Sequence, residues 1–292
     1  TKTLILGASG TVGSHVMKLY HESGEYARAA FHKEEVPDQA YDDFVLIDYD
    51  EVDGLLEAAD GFNQVFVVIP DSPSMAMHAR HIVQACEASG VCHYVVISGA
   101  GVELSPHNVV SQRLQVMETL FENSNMNGII LRPVFFMQNF INHFPPTPEC
   151  KIIQPMGSGK VNYIDVRDVA LASYQVLIQL SQGEKFEKNV WCITGDKSYT
   201  MDDIVDIFSA KHQSAYEYID ADLEQVMQKM KSKGLPQWRV QMLSEIYQSI
   251  QQNHYDHHTS DLMRLINRDP RTFCDFALDY KSFFINNYQL NH

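Results

Sequence analysis

The stretch Leu4-Ile5-Leu6-Gly7-Ala8-Ser9-Gly10-Thr11-Val12-Gly13 sets a short apolar run directly before three glycines spaced G-x-x-G-x-x-G. Val12, Val16, Leu19 and Tyr20 then repeat at helical spacing, and a second strand-like run covers 26–31. Strand, tight turn, helix and strand in that order make a βαβ unit, which commits a chain to parallel strands joined by crossover helices. A helix N-terminus carries unpaired backbone N–H groups and partial positive charge, so a glycine turn leading into it forms a seat for pyrophosphate. Gly7 permits the turn, Gly10 the close approach of a ligand, and Gly13 tight packing of the helix. A surface turn can hold three glycines for conformational reasons alone. The flanking strand and helix favour dinucleotide binding, with Gly7, Ser9, Gly10, Thr11, Val12 and Gly13 as candidate contacts.

The alternation continues downstream. Strands are expected over 44–47, 64–69, 91–98 and 128–132, separated by helices over 50–59, 73–89 and 109–124. These strands are nearly continuous in Val, Ile, Phe and Tyr, as parallel strands covered on both faces require. An aromatic stretch over 135–144 ends at Pro145-Pro146. Beyond it a strand over 161–164, a helix over 165–180 and a last strand over 190–194 are expected to return to the sheet. The fold class is therefore α/β: a Rossmann-type, doubly wound parallel sheet in 1–195, followed by a smaller, mainly helical domain in 196–292. In that second part, Thr200-Met201-Asp202-Asp203 and Thr272-Phe273-Cys274-Asp275 read as capping boxes with Asp in the Glu position. A short strand over 215–219 precedes a helix over 223–233 and a turn at Gly234-Leu235-Pro236.

Charge and composition remove several function classes. With 22 basic against 37 acidic side chains, the formal net charge of −15 repels a phosphate backbone, so nucleic acid is not an expected partner. No apolar run approaches the roughly twenty residues of a bilayer span, and Thr1 leads into a strand without a basic and apolar leader. A cytoplasmic chain without a membrane partner is expected. The five cysteines are scattered and lack a C-x-x-C pair, which speaks against a disulfide framework and against a cysteine zinc site.

Several stretches now read together: the glycine turn, Ser98, Ile130-Leu131-Arg132-Pro133-Val134-Phe135-Phe136-Met137-Gln138-Asn139-Phe140, Tyr163-Ile164-Asp165-Val166-Arg167-Asp168-Val169-Ala170, and Asp269-Pro270-Arg271-Thr272-Phe273-Cys274-Asp275-Phe276. As a set they resemble the NmrA-like family, a branch of the atypical short-chain dehydrogenase group, along almost the whole chain. The resemblance implies strand order 3-2-1-4-5-6, a small C-terminal domain, and a cleft between the two parts. It also implies one of two activities. The first is NADPH-dependent reduction of a quinone, azo dye or triphenylmethane dye; the second is non-catalytic redox sensing through a protein partner. The expected partner is accordingly a small aromatic substrate or a regulatory protein.

NAD-specific sites of this type place a carboxylate at the end of the second strand, where it binds the ribose hydroxyls. Here that strand ends Ala29-Ala30-Phe31-His32-Lys33. The family resemblance implies an arginine gripping a 2′-phosphate at the position of His32. His32 retains a nitrogen donor and Lys33 adds charge, so NADP(H) is favoured over NAD(H). The plainer alternative is that both are solvated loop residues, partly neutralised by Glu34-Glu35. Asp48 lies either beside the adenine or at the N-cap of the acidic helix. Ile69, Pro70 and Ser98 fall at strand C-termini, the edge where such sheets hold ligands. The resemblance places Pro133 against the nicotinamide.

Catalytic machinery is harder to find. None of the 14 tyrosines has Lys four residues on, and no lysine occurs over 34–150, so the phenol–ammonium pair of ordinary short-chain dehydrogenases is missing. The resemblance implies a His or Lys four residues before Glu118 in many reductases, where this chain has Leu114. Phe136, Met137, Asn139 and Phe140 form a candidate apolar substrate pocket; equally, aromatic residues at helical spacing pack as ordinary core. His254-Tyr255-Asp256-His257-His258 could bring two histidines to one helix face for a metal, or form a surface loop before a helix cap at Thr259-Ser260. Ser98-Gly99-Ala100-Gly101 lacks the preceding glycine of a nucleophile elbow.

Overall fold

Strand side chains buried on both faces dictate the central sheet of the computed structural model, which describes residues 1–32 and 43–289. The strands β1 (Lys2–Leu6), β2 (Tyr26–His32), β3 (Phe44–Ile47), β4 (Gln64–Val67), β5 (His93–Ile97) and β6 (Asn127–Pro133) pair in parallel in the order β3-β2-β1-β4-β5-β6. The crossovers are α1 (Gly13–Ser23), α2 (Val52–Ala59), α3 (Met75–Ala88), and a short α4 (Gly101–Leu104) followed by α5 (Val109–Glu122). Because successive strand side chains point to opposite faces, Ile5, Phe66 and Ile129 pack against Val16 and Tyr20 of α1 on one side. Leu4, Leu6, Val65 and Ile130 meet Leu55, Ile82 and Phe121 of α2, α3 and α5 on the other.

After β6 the chain leaves the sheet. It forms β7 (Phe135–Phe136), a single helical turn α6 (Asn139–Asn142), β8 (Lys151–Gln154) and β9 (Val161–Ile164) before α7 (Val166–Ser181) packs beside α1. The seventh sheet strand, β10 (Val190–Ile193), then adds in parallel to β6. The strand over 161–164 thus does not return to the central sheet as expected. The place next to β6 is filled by β10, and β9 instead pairs in parallel with β7 and antiparallel with β11 (Ser198–Tyr199).

The rest is mainly helical: α8 (Met201–His212), the strand β12 (Glu217–Asp220), α9 (Leu223–Ser232), α10 (Gln237–Gln251), α11 (Asp261–Ile266), α12 (Phe273–Asp279) and α13 (Lys281–Gln289). β12 pairs in parallel with β8. Both expected capping boxes are present, Thr200 with Asp203 and Thr272 with Asp275. Among the described residues no helix is long and apolar enough to cross a membrane.

A third core, rich in aromatic rings, joins Met137, Phe140, Tyr163, Phe208, Phe273, Phe276 and Phe284, so it draws on residues from both sides of position 195. Two acidic residues at the start of α7 fasten this region to that helix. Asp165 caps the helix by accepting from the Arg167 N–H at 2.9 Å, and its carboxylate also pairs with the Arg167 guanidinium. Asp168, fully buried, receives the guanidinium groups of Arg268 and Arg271 and the Arg271 N–H at 2.7 Å. Much of the sequence resemblance around 163–170 and 269–276 is therefore this ionic and aromatic fastening.

His212 closes the same core from α8. One ring nitrogen, Nε2, lies 2.8 Å from the Ala277 carbonyl, Nδ1 lies 2.9 Å from the Tyr216 hydroxyl, and the ring stacks on Phe284. This arrangement suits a neutral imidazole that donates to the carbonyl and accepts from the phenol. Burial lowers its pKa from the usual 6.5. The stability carried by neutral His212 is therefore present above about pH 6.5 and is lost as pH falls through the depressed folded-state value. Urea denaturation of the wild type from pH 7.5 to 5 is expected to show this loss, and His212→Gln is expected to lack that component.

Candidate functional site

All seven central strands run in parallel, so their C-terminal ends lie along one edge, and the candidate residues collect there. Gly7 follows β1 with φ +80°, a left-handed conformation that favours glycine. Its carbonyl accepts from the Gly10 N–H at 3.0 Å, and the Gly10 carbonyl accepts from the Ser14 N–H at 3.0 Å, turning the chain into α1. Gly13 is where the helix touches the turn: a Cβ there would stand 2.1 Å from the Gly7 carbonyl oxygen. Val12 is buried under the turn, whereas Ser9, Gly10 and Thr11 are exposed on it. The first turn of α1 contains no acidic residue and its N-cap makes no side-chain hydrogen bond, which leaves the positive end of the helix facing the edge. A backbone cradle closed by Gly7 and Gly13 at the N-terminus of an eleven-residue helix fits a diphosphate.

β2 ends at His32, which is exposed, and its ring stacks over Tyr49 at 6.2 Å; Tyr49 in turn lies 5.6 Å from the His78 ring. Lys33 lies outside the described residues. Asp48 follows β3 and is not the cap of α2, a role that falls to Glu51. Its carboxylate instead accepts from the Asp50 N–H at 3.0 Å, an Asx turn at the strand end. Ile69 and Pro70 follow β4 beside the glycine turn, where the neighbouring Val68 carbonyl limits space over Gly7.

Further along the edge, past β5 and β6, a cleft of about 240 Å³ opens. It is lined by Ser98, Gly99, Ala100 and Gly101 after β5, by Val110 and Leu114 of α5, by Pro133, Val134, Phe135, Phe136 and Asn139 from β6 onward, and by Tyr255. Ser98 and Pro133 are thus both at the cleft, but the Ser98 hydroxyl donates to Glu118 Oε1 at 2.5 Å. Fully buried Glu118 also holds Arg132 through a two-pronged contact, Nε to Oε1 at 2.9 Å and Nη2 to Oε2 at 2.6 Å. Hydrogen bonding to Glu118 raises the Arg132 pKa. This pair locks α5 to β6 beneath the cleft. One turn earlier on α5, Leu114 presents an alkyl group at the position where the resemblance implied an acid, while the neighbouring Arg113 pairs with Asp71 at 3.1 Å and lies over Trp238.

The aromatic stretch divides. Phe136 and Asn139 line the cleft, together with Phe135. Met137 and Phe140 do not, contrary to the expectation of a pocket role. The Met137 N–H is bonded to the Ile164 carbonyl at 2.9 Å, and both side chains turn into the third core, fully buried. Phe140 there meets Phe144, Tyr163, Phe208 and Phe273 at centroid distances of 4.8 to 5.9 Å. Tyr255, which sequence reasoning left in a loop, is part of the cleft wall. α10 stops at Gln251 and Asn253 takes a positive φ of 60°, so His254 and His258 share no helix face; a residue reaching inward from a loop carries no periodic signal.

Two substitutions separate coenzyme seat from core. Gly13→Ala is expected to abolish NAD(P)H binding in calorimetry, because its methyl cannot coexist with the Gly7 carbonyl. Phe140→Ala is expected to cost about 3–5 kcal/mol in urea denaturation, with NAD(P)H affinity retained under conditions where the variant is folded.

A family described as NAD(P)H-binding matches residues 7–179, more than half of the chain. The NAD(P)H azoreductase of Xenophilus azovorans is 26% identical over 286 residues, covering 96% of this chain and 98% of its own. The triphenylmethane reductase of Citrobacter sp., in complex with NADP(H), superposes with a TM-score of 0.80 at 19% identity, covering 96% of this chain and 100% of that one. The NADPH complex of the Escherichia coli quinone oxidoreductase QOR2 also gives 0.80, at 18% identity, covering 94% and 98%. With its glycine turn, strand order and helical C-terminal part in place, the chain belongs to the NAD(P)H-binding family and has the NmrA-like form of the Rossmann fold.

Proposed function

We propose that this protein is an NADPH-dependent reductase of a quinone-like or other small aromatic acceptor. The observation that carries the reading is the common edge: the glycine turn and an apolar cleft walled by Pro133, Phe135, Phe136 and Leu114 open on the same side of one parallel sheet. The amides at the start of α1 would hold the diphosphate, and the residues after β4, β5 and β6 would flank the nicotinamide end. When bound, the coenzyme supplies a hydride. The chain's own task is to hold a flat, electron-poor ring close by and to keep water out, and aromatic and proline faces do both. Beyond Ser98 and Pro133, the apolar ring faces of Phe135 and Phe136 extend the cleft with surface that suits an aromatic acceptor, and this favours turnover over regulation. The dye- and quinone-reducing names of the proteins similar to this one lend support to the same acceptor class.

The preference for NADPH over NADH rests on His32. An exposed imidazole ends β2 where an NAD-specific site carries a carboxylate, and Lys33 follows it in sequence. NADPH is expected to bind in calorimetry and to lose its absorbance when menadione, an azo dye or a triphenylmethane dye is added. Binding with no turnover across that panel would falsify the reductase reading. His32→Glu is expected to weaken NADPH about tenfold more than NADH, through repulsion of the 2′-phosphate; equal losses would remove His32 from the phosphate site.

A further inference from the structure

Hydride delivery alone leaves a carbonyl acceptor one proton short, and the cleft offers few groups that can provide it. Leu114 is inert, and the Ser98 hydroxyl already donates to Glu118. Among the described residues lining the cleft, Tyr255 alone carries a titratable side chain. It is 4% exposed, its ring is set edge-on against Phe135 at 4.7 Å, and its carbonyl accepts from the Asn162 N–H at 3.0 Å. The phenol oxygen reaches the cleft wall because Gly101 has no side chain: a Cβ there would stand 3.2 Å from it.

Behind Tyr255 a path leads outward. Ser105 and Asn108 lie beside the phenol, and the Ser105 N–H is bonded to the Gly101 carbonyl at 2.8 Å, one helical turn from the glycine over which the phenol sits. Ser105 is itself buried, and its Oγ lies 3.2 Å from Nδ1 of His254, which is exposed. Phenol, hydroxyl and imidazole thus run in sequence from the cleft to the surface. Imidazole is the side chain best suited to exchanging protons with water near neutral pH.

We propose that Tyr255, Ser105 and His254 form a proton relay that carries one proton from solvent to the acceptor in the cleft. The relay rests on the reductase reading and supplies the acid that the missing Tyr-x-x-x-Lys pair leaves unassigned. For a quinone, the acceptor gains a hydride, with its two electrons, from the reduced nicotinamide. It gains one proton from Tyr255, whose O–H bond breaks as the acceptor O–H bond forms. Ser105 then reprotonates the phenolate oxygen, and His254 passes its Nδ1 proton to Ser105 as Nε2 takes one from water, after which the imidazole returns to its Nδ1–H form by exchange with solvent. Quinone, hydride and proton sum to the hydroquinone, and no further reactant is needed. Burial raises the Tyr255 pKa, so the phenolate does not persist and the relay resets in the direction of the cleft.

The test uses the full chain, with menadione as the probe. Tyr255→Phe keeps the ring against Phe135 and removes only the hydroxyl. It is expected to slow single-turnover reduction about 100-fold and to weaken menadione binding to the NADP⁺ complex about fivefold, with NADPH affinity unchanged and the variant folded by circular dichroism. His254→Ala and Ser105→Ala are expected to slow reduction about tenfold and to diminish its solvent deuterium isotope effect. Added imidazole should restore His254→Ala but not Tyr255→Phe. A wild-type rate in Tyr255→Phe overturns the relay, as does an unrescued His254→Ala. If the wild type binds NADPH and reduces no acceptor, the reductase reading fails; equal menadione affinity in wild type and Tyr255→Phe would show separately that the phenol does not touch the acceptor.

Discussion

The contact between Gly13 and the Gly7 carbonyl is the constraint on which the arrangement depends. With no room even for a methyl group, α1 is seated directly on the turn that follows β1. That seating aims the helix terminus along the strand-end edge and sets how α1 lies against β1 and α7. It also explains why the glycine spacing is informative: each position answers a different steric demand, and Gly7 adds a positive φ to the close approach of Gly13.

A second fixed point lies beneath the cleft. Glu118 is wholly buried, yet its two oxygens are occupied by Arg132 and by the Ser98 hydroxyl. A buried carboxylate tolerates that position only when it is paired and hydrogen-bonded, and removal of a single partner leaves an uncompensated charge at a cost of about 3–5 kcal/mol. The three residues come from the ends of β5 and β6 and from α5, so the pairing fixes these three elements to one another beneath the cleft. Asp168 does comparable work farther out, binding α7 to the segment before α12.

Much of this was legible in the sequence because it obeys a period. The six leading strands, their crossover helices and both capping boxes followed from apolar repeats and short-range polar patterns. The exceptions are physical. β8 has only two apolar residues, Ile152 and Ile153, and exists because β12 pairs with it from sixty residues away. The strand at 161–164 was recognisable, but its partner was not, since the place beside β6 went to a strand that arrives later. Within 135–140, neighbouring residues face opposite environments: Phe136 lines the cleft while Met137 and Phe140 fill the core, a division set by the β7–β9 pairing and by the one turn of α6. Of the two readings of Asp48, the structure bears on the cap alone: Glu51 takes that place, and the Asp48 carboxylate accepts from the Asp50 N–H. Tyr255 gave no signal because a side chain reaching into a cleft from an irregular loop has no period to betray it.

The order in which the cleft's residues occur along the chain has a bearing on how the molecule is born. The glycine turn, His32 and the segment at Ile69-Pro70 leave the ribosome early, and the Glu118–Arg132 pair follows by the end of β6. Tyr255 is translated much later, after α10, and needs the Asn162 amide to anchor its backbone. A nascent chain therefore completes its glycine turn and the Glu118–Arg132 pair well before Tyr255 can join the lining of the cleft.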